Sequence, residues 1–182
     1  KKMYDEKTGR LDIRAETDNG MQINIEVQLA NTGNMVKRSL FYEGKMYVET
    51  IYAGEEHENL KKTVAINIMG YNLFKHSSRF HNTFHFYEDH EKDFMLTDVM
   101  ELHFIELPKF RKLVKDWNNP LQRWLLFLDD KLSKIERKEL ISMDHDIAKA
   151  DERLDWLRGD KETRELFAAR ELAKIELNSQ LS

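Results

Sequence analysis

Cysteine is absent from the 182 residues, which excludes a disulfide scaffold, a thiol nucleophile, a zinc finger and an iron–sulfur site. Proline occurs 2 times and glycine 7 times, too seldom for a collagen-like or Pro-rich low-complexity chain. No apolar run approaches the roughly 20 residues that span a bilayer, so no membrane partner is expected. The start, Lys1-Lys2-Met3-Tyr4-Asp5, lacks a signal-peptide pattern, and the cytoplasm is the simplest compartment. A basic excess is missing too: 29 Lys and Arg stand against 33 Asp and Glu, a net charge of −4. That balance argues against a dedicated nucleic-acid binder with a basic face. It leaves room for a metal-dependent enzyme, because a bound divalent ion reverses the local charge of an acidic site.

What is present is a globular chain, 41% hydrophobic and 10% aromatic beside 34% charged residues, long enough to bury a core. Arg10–Glu16 and Met21–Ala30 read as two strands around Asp18-Asn19-Gly20, a hairpin signal. In the second run Ile23, Ile25, Val27 and Leu29 alternate with Gln22, Asn24, Glu26 and Gln28; Leu11, Ile13 and Ala15 supply a matching apolar face. The pattern then predicts a helix over 34–53, capped by Asn34 and stopped by Gly54. Thr63–Met69, Phe80–Tyr87 and Val99–Leu107 read as strands, the last two joined by an acidic turn at Asp89–Asp93.

After Pro108 the period changes to 3.6. Leu121, Trp124, Leu125, Leu128 and Leu132 form one stripe. Ile147, Ala150, Leu154 and Leu157 form a second, and Leu166, Ala169, Ala173 and Leu177 a third. The expectation is an α/β fold: a mixed sheet of four or five strands with helices packed on it, over 1–117, then a helical extension over 118–182.

The hairpin carries the chemistry. A three-residue loop at Asp18-Asn19-Gly20 pairs Thr17 with Met21, and counting back sets Asp12 opposite Glu26. Opposed residues share a sheet face, with Cβ atoms about 5 Å apart. Gln28 belongs to that face as well. Two carboxylates and an amide on neighbouring strands suit a hard divalent cation, which takes oxygen ligands. The competing reading is plain: a hairpin with one buried face has a polar one anyway, and Arg14, Glu16, Gln22 and Asn24 share it.

Lys7-Thr8-Gly9-Arg10-Leu11-Asp12-Ile13, the hairpin and Ile25-Glu26-Val27-Gln28 resemble the PD-(D/E)XK nuclease family transposases, also called recombination-promoting nucleases. In that family an aspartate opens one strand, and a Glu-x-Gln on the next replaces the commoner (D/E)xK. The likeness continues through Arg38-Ser39-Leu40-Phe41-Tyr42, where the family carries Arg-x-x-x-Tyr, through Leu60–Ile66 and Glu101–Leu107, and into the late helices. It implies a restriction-endonuclease-like α/β fold and a metal-dependent DNA endonuclease. Asp12, Glu26 and the Val27 carbonyl would bind Mg²⁺ or Mn²⁺, with Gln28 completing the catalytic set. Arg38 and Tyr42, on one helix face, would serve the phosphate or fix a carboxylate. DNA is the implied partner, and a homo-oligomer is a compatible assembly. Family members carry a segment ahead of this point with the first helix of the core, so the resemblance also implies an N-terminally truncated chain. The alternative is a catalytically silent remnant of the family that binds protein or DNA.

Two further groups stand out. His76, His81, His85 and His90 crowd one stretch, with His81 and His85 on one strand face. Zinc needs three or four convergent ligands, and a solvated strand face explains these residues equally. Pro108–Lys115 is the most basic stretch, suited either to a DNA backbone or to a plain surface helix start.

Overall fold

The structure, a computed structural model, describes residues 10–129 and 131–160, apart from the side chains of residues 10–12, 157 and 158. The described residues divide into two compact units between Leu113 and Val114.

The first unit is built on a five-stranded mixed sheet of order β1-β2-β3-β5-β4. β1 (Arg10–Glu16) and β2 (Gln22–Gln28) form the hairpin. Gly20 takes φ +82°, the left-handed value that a Cβ disfavours, and Thr17 N–H donates to Met21 O at 3.0 Å. This closure sets the register with Asp12 across from Glu26, as the loop count predicts. Helix α1 (Met35–Val48) crosses over to β3 (Thr63–Met69), which runs parallel to both β2 and β5 (Met95–Glu106). β4 (His81–Tyr87) forms the edge, antiparallel to β5, and the one-turn helix α2 (Leu107–Phe110) follows β5.

α1 is shorter than the sequence pattern predicts. It stops at Val48, and Thr50 turns back to bond Tyr47 O through both N–H and Oγ1–H. The Thr50-Ile51-Tyr52 run has low helix propensity, and Gly54 serves a later turn at φ +95°. Asn34 supplies only its carbonyl to the first helical bond, from Arg38 N–H; its side chain accepts from Thr32 instead of capping.

The hairpin faces are used opposite to the simple amphipathic expectation. Glu26 and Gln28, on the polar face, are 3% and 1% exposed, while Ile23, Ile25 and Val27 are half-buried and Ile13 is 43% exposed. The cause is α1, whose buried residues Met35, Ser39, Glu43 and Met46 recur every three or four positions. Met35 packs with Ala65, Met69, Leu102 and Phe104 of β3 and β5. Covering that apolar cluster also covers the polar end of β2 beside it.

β3 ends against β2 with no room to spare. A Cβ on Gly70 would lie 2.8 Å from Leu29 O and 3.0 Å from Leu29 Cα, both backbone atoms. Gly70 N–H also bonds Gln28 O at 3.0 Å. Gly70→Ala is therefore expected to cost roughly 1–3 kcal/mol, as overpacking does where backbone must shift. Chemical denaturation measures it, and a wild-type midpoint would contradict this close approach.

In the second unit, α3 (Pro120–Asp129), α4 (Lys134–Met143) and α5 (His145–Gly159) bury Leu125, Leu126, Leu140 and Ile147. α4 begins with a capping box between Ser133 and Glu136, and Asp144 caps α5. The first expected stripe is only partly used: Leu121 and Leu128 are exposed, and Leu126 is buried beside Leu125. Of the second stripe Ile147 is buried and Leu154 exposed, while the third stripe lies outside the described residues. No helix among the described residues is long and apolar enough to cross a membrane.

Candidate active site

One row crosses the sheet through Asp12, Glu26, Asn67, Phe104 and Asn82, each the register partner of the next. Glu26 is buried in this row, and Arg38 from the first turns of α1 reaches it. Arg38 Nη2 lies 2.5 Å from Glu26 Oε1, and the two side chains are 15% and 5% exposed. A charge-assisted bond at such burial holds the carboxylate in one orientation. The Arg38 guanidinium sits 5.3 Å above the Tyr42 ring, so the helical spacing of Arg38 and Tyr42 makes a stacked pair. Arg38 Nε is buried without a hydrogen-bond partner.

Gln28 follows Glu26 on the same face. Its Nε2–H₂ group donates to Ala30 O at 2.7 Å and Thr32 Oγ1 at 3.0 Å. Its Oε1 is buried and unpartnered. Val27, between them, points its side chain to the opposite face by strand alternation.

Asn67 holds the next position in the row. It donates to Ser39 Oγ at 2.8 Å and His103 O at 3.0 Å, tying α1 to the sheet beside Glu26. Sequence reasoning missed both Asn67 and Ser39. Their signal was visible: a lone amide inside Val64-Ala65-Ile66-Asn67-Ile68-Met69, and a serine on the buried stripe of α1.

Glu43, one turn beyond Ser39, is also buried. Its Oε1 accepts from Glu101 N–H at 3.0 Å and its Oε2 has no hydrogen-bond partner. Burial pushes this carboxyl up to about 8, with the Glu101 charge acting the same way and the backbone bond opposing both.

The histidines meet differently from the sequence expectation. On the opposite sheet face Lys62 Nζ bonds Glu101 Oε2 at 2.8 Å, and Glu101 Oε1 takes His103 Nε2 at 2.8 Å. His103 Nδ1 lies 2.8 Å from His81 Nε2, and His85 Nε2 is 3.5 Å from Glu101 Oε2. His103 was not counted among the histidines, whereas His76 and His90 sit elsewhere, on the loop after β3 and in the turn after β4. Among the described residues no three His, Cys, Asp or Glu side chains form a group that could hold a metal ion.

Burial, then the charges of His103 and Arg79, hold His81 below the ordinary histidine range, against the pull of Glu101. A neutral His81 therefore contributes stability that is complete above the unfolded value near 6.5 and is lost as pH falls toward the folded value. The melting temperature is expected to drop between pH 7.5 and 5.5, and to drop less in His81→Gln, which keeps a donor toward His103. Equal slopes in both proteins would contradict a depressed His81.

The basic stretch proves to be structural at Lys109. Its Nζ bonds Phe74 O at 2.7 Å and Glu106 Oε2 at 2.5 Å. Glu106, fully buried, accepts from Leu73 N–H and Phe74 N–H through Oε1. The pair fastens the loop after β3 rather than offering a cation to DNA.

A family model for PD-(D/E)XK nuclease family transposases matches residues 1–182. The chain belongs to that family. The mixed five-stranded sheet with helices packed against it is the restriction-endonuclease-like α/β fold that the resemblance implies. Membership supports a nuclease-like function, with DNA as the substrate that the family implies and divalent metals in general use among such nucleases. No curated protein and no solved structure matches the chain.

Proposed function

We propose that the chain is a DNA endonuclease that hydrolyses phosphodiester bonds with Mg²⁺ or Mn²⁺. The observation that carries this reading is the buried, arginine-held Glu26 facing Asp12 in register across the hairpin. A buried carboxylate with another carboxylate residue opposite is costly as a structural device and useful as a cation site.

The residues fit such an ion by donor chemistry. Asp12, Glu26 and the Val27 carbonyl would hold it, all through oxygen, and Gln28 Oε1 is a buried acceptor left over beside them. Held there, the ion would polarise the scissile phosphate and lower the pKa of a bound water. Arg38 keeps Glu26 in its binding orientation and has its Nε–H left for an entering oxygen. Tyr42 restricts the guanidinium from below. Gln28 accepts a hydrogen from the attacking water and so aims its lone pair; it neither gains nor loses charge.

The second reading, a silent binding module, is separated by salt. A nuclease with this acidic balance makes few phosphate contacts, so its DNA affinity is expected to be weak and its salt dependence shallow. Fluorescence anisotropy with a DNA duplex in Ca²⁺ between 50 and 200 mM salt measures it, at about one counterion per contacted phosphate. A loss of a thousandfold or more over that range would favour the binding module.

A further inference from the structure

The Gln28 amide raises a question of orientation that its neighbours answer. An amide has a donor end and an acceptor end of the same shape, and only the surroundings decide which faces where. Here Nε2 lies 2.7 Å from Ala30 O, a backbone carbonyl that can only accept. The donor end is therefore committed to the loop. Thr32 reinforces it: its Oγ1 accepts from Gln28 Nε2 at 3.0 Å while its own hydrogen goes to Asn34 Oδ1 at 2.8 Å. Asn34 precedes α1, and its side chain makes no cap bond to the helix. Asn31 Oδ1 takes Gly33 N–H at 2.8 Å, with Gly33 at φ +76°, which holds the loop closed around Thr32.

We infer that Thr32, backed by Asn34, is a positioning residue that fixes Gln28 with its carbonyl oxygen toward the active site. This inference rests on the nuclease reading for its use, and on hydrogen bonding alone for its geometry. The other end of Gln28 is an acceptor, buried and unpartnered. An acceptor cannot bond a phosphate oxygen. It takes a water hydrogen or a divalent cation. Gln28 therefore serves the cation and its water, and the phosphate is left to other groups. A lysine at the same position would turn its ammonium to Ala30 O and Thr32 and leave the site without that oxygen. The short Ala30–Asn34 loop is thus the companion that a Glu-x-Gln pair needs in this chain.

The test uses the full chain in two measurements. In the metal-free protein, the Gln28 side-chain NH₂ resonances are expected to exchange slowly with solvent. Thr32→Val, at an exposed position and nearly isosteric, is expected to speed that exchange about tenfold, roughly the loss of one hydrogen bond. Thr32→Ser should restore the wild-type rate, and Asn34→Ala should shift it in the same direction as valine by a smaller factor. Mn²⁺ affinity, read by electron paramagnetic titration, should weaken several-fold in Thr32→Val and remain wild-type in Thr32→Ser. Equal NH₂ exchange in wild type and Thr32→Val, or a serine variant that behaves as valine, would overturn the positioning role. If wild type binds no Mn²⁺, the nuclease reading fails, and the exchange rates still decide the orientation of Gln28.

Discussion

Millimolar Mn²⁺ is expected to raise the melting temperature of the chain, and Asp12→Asn and Glu26→Gln are each expected to abolish that rise. A ligand that binds only the folded state stabilises it by about 2.7 kcal/mol at a hundred times its dissociation constant. Either change replaces one carboxylate oxygen by an NH₂ group, which cannot ligate a cation, and removes the negative charge. At position 26 the choice of replacement decides what is measured. Glu26 is held by Arg38, and both side chains are largely buried, so Glu26→Ala would strand a buried guanidinium, at about 3–5 kcal/mol. Glu26→Gln keeps an oxygen toward Arg38 and isolates the effect on the metal. Scanning fluorimetry with and without Mn²⁺ separates the two terms. A rise of wild-type size in both variants would place the ion elsewhere.

The second large effect concerns Glu43, which has no part in the proposed chemistry. Its carboxyl is raised from the ordinary 4.5 to about 8, chiefly by burial. A carboxyl with a raised folded value binds its proton more tightly when folded. Its contribution is complete below the unfolded value, and stability falls as pH rises from about 4.5 to about 8, then levels off. One pKa unit corresponds to about 1.4 kcal/mol, so ionised Glu43 burdens the folded state appreciably. Glu43→Gln keeps an acceptor for Glu101 N–H and removes the titration. It is expected to raise stability at pH 8.5 by roughly 2–4 kcal/mol and to change little at pH 5. Urea unfolding at the two pH values measures this difference. A variant equally stable or less stable at pH 8.5 would contradict a buried, reluctantly ionised carboxyl.

Much of the candidate site is legible in the chain because it lies on a hairpin. The loop Asp18-Asn19-Gly20 fixes register, and register alone brings Asp12 opposite Glu26. The Arg38–Tyr42 spacing is equally local, set by one helical turn. What the pattern could not show is which sheet face α1 covers. Alternation gives two faces and no sign, and the apolar side of β2 looked like the buried one. Long-range pairing decided otherwise, through Ala65, Met69, Leu102 and Phe104 under Met35. The same holds for His103: its meeting with His81 depends on β4 pairing beside β5, with His81 opposite Ile105 and Thr83 opposite His103. Thr32 went unnoticed because its role lies in a five-residue loop, where no periodicity points to a partner.

The central claim is that this carboxylate pair cuts DNA with a divalent ion, and nicking of supercoiled plasmid DNA tests it most directly. Wild-type chain in millimolar Mn²⁺ is expected to convert supercoiled to open-circular and linear DNA, and to stop on addition of EDTA. Glu26→Gln, prepared identically and shown to be folded, is expected to be slower by about a hundredfold or more, the scale lost when a transition-state electrostatic contact is removed. Cleavage by Glu26→Gln at the wild-type rate, or no Mn²⁺-dependent cleavage by the wild-type chain, would contradict the claim.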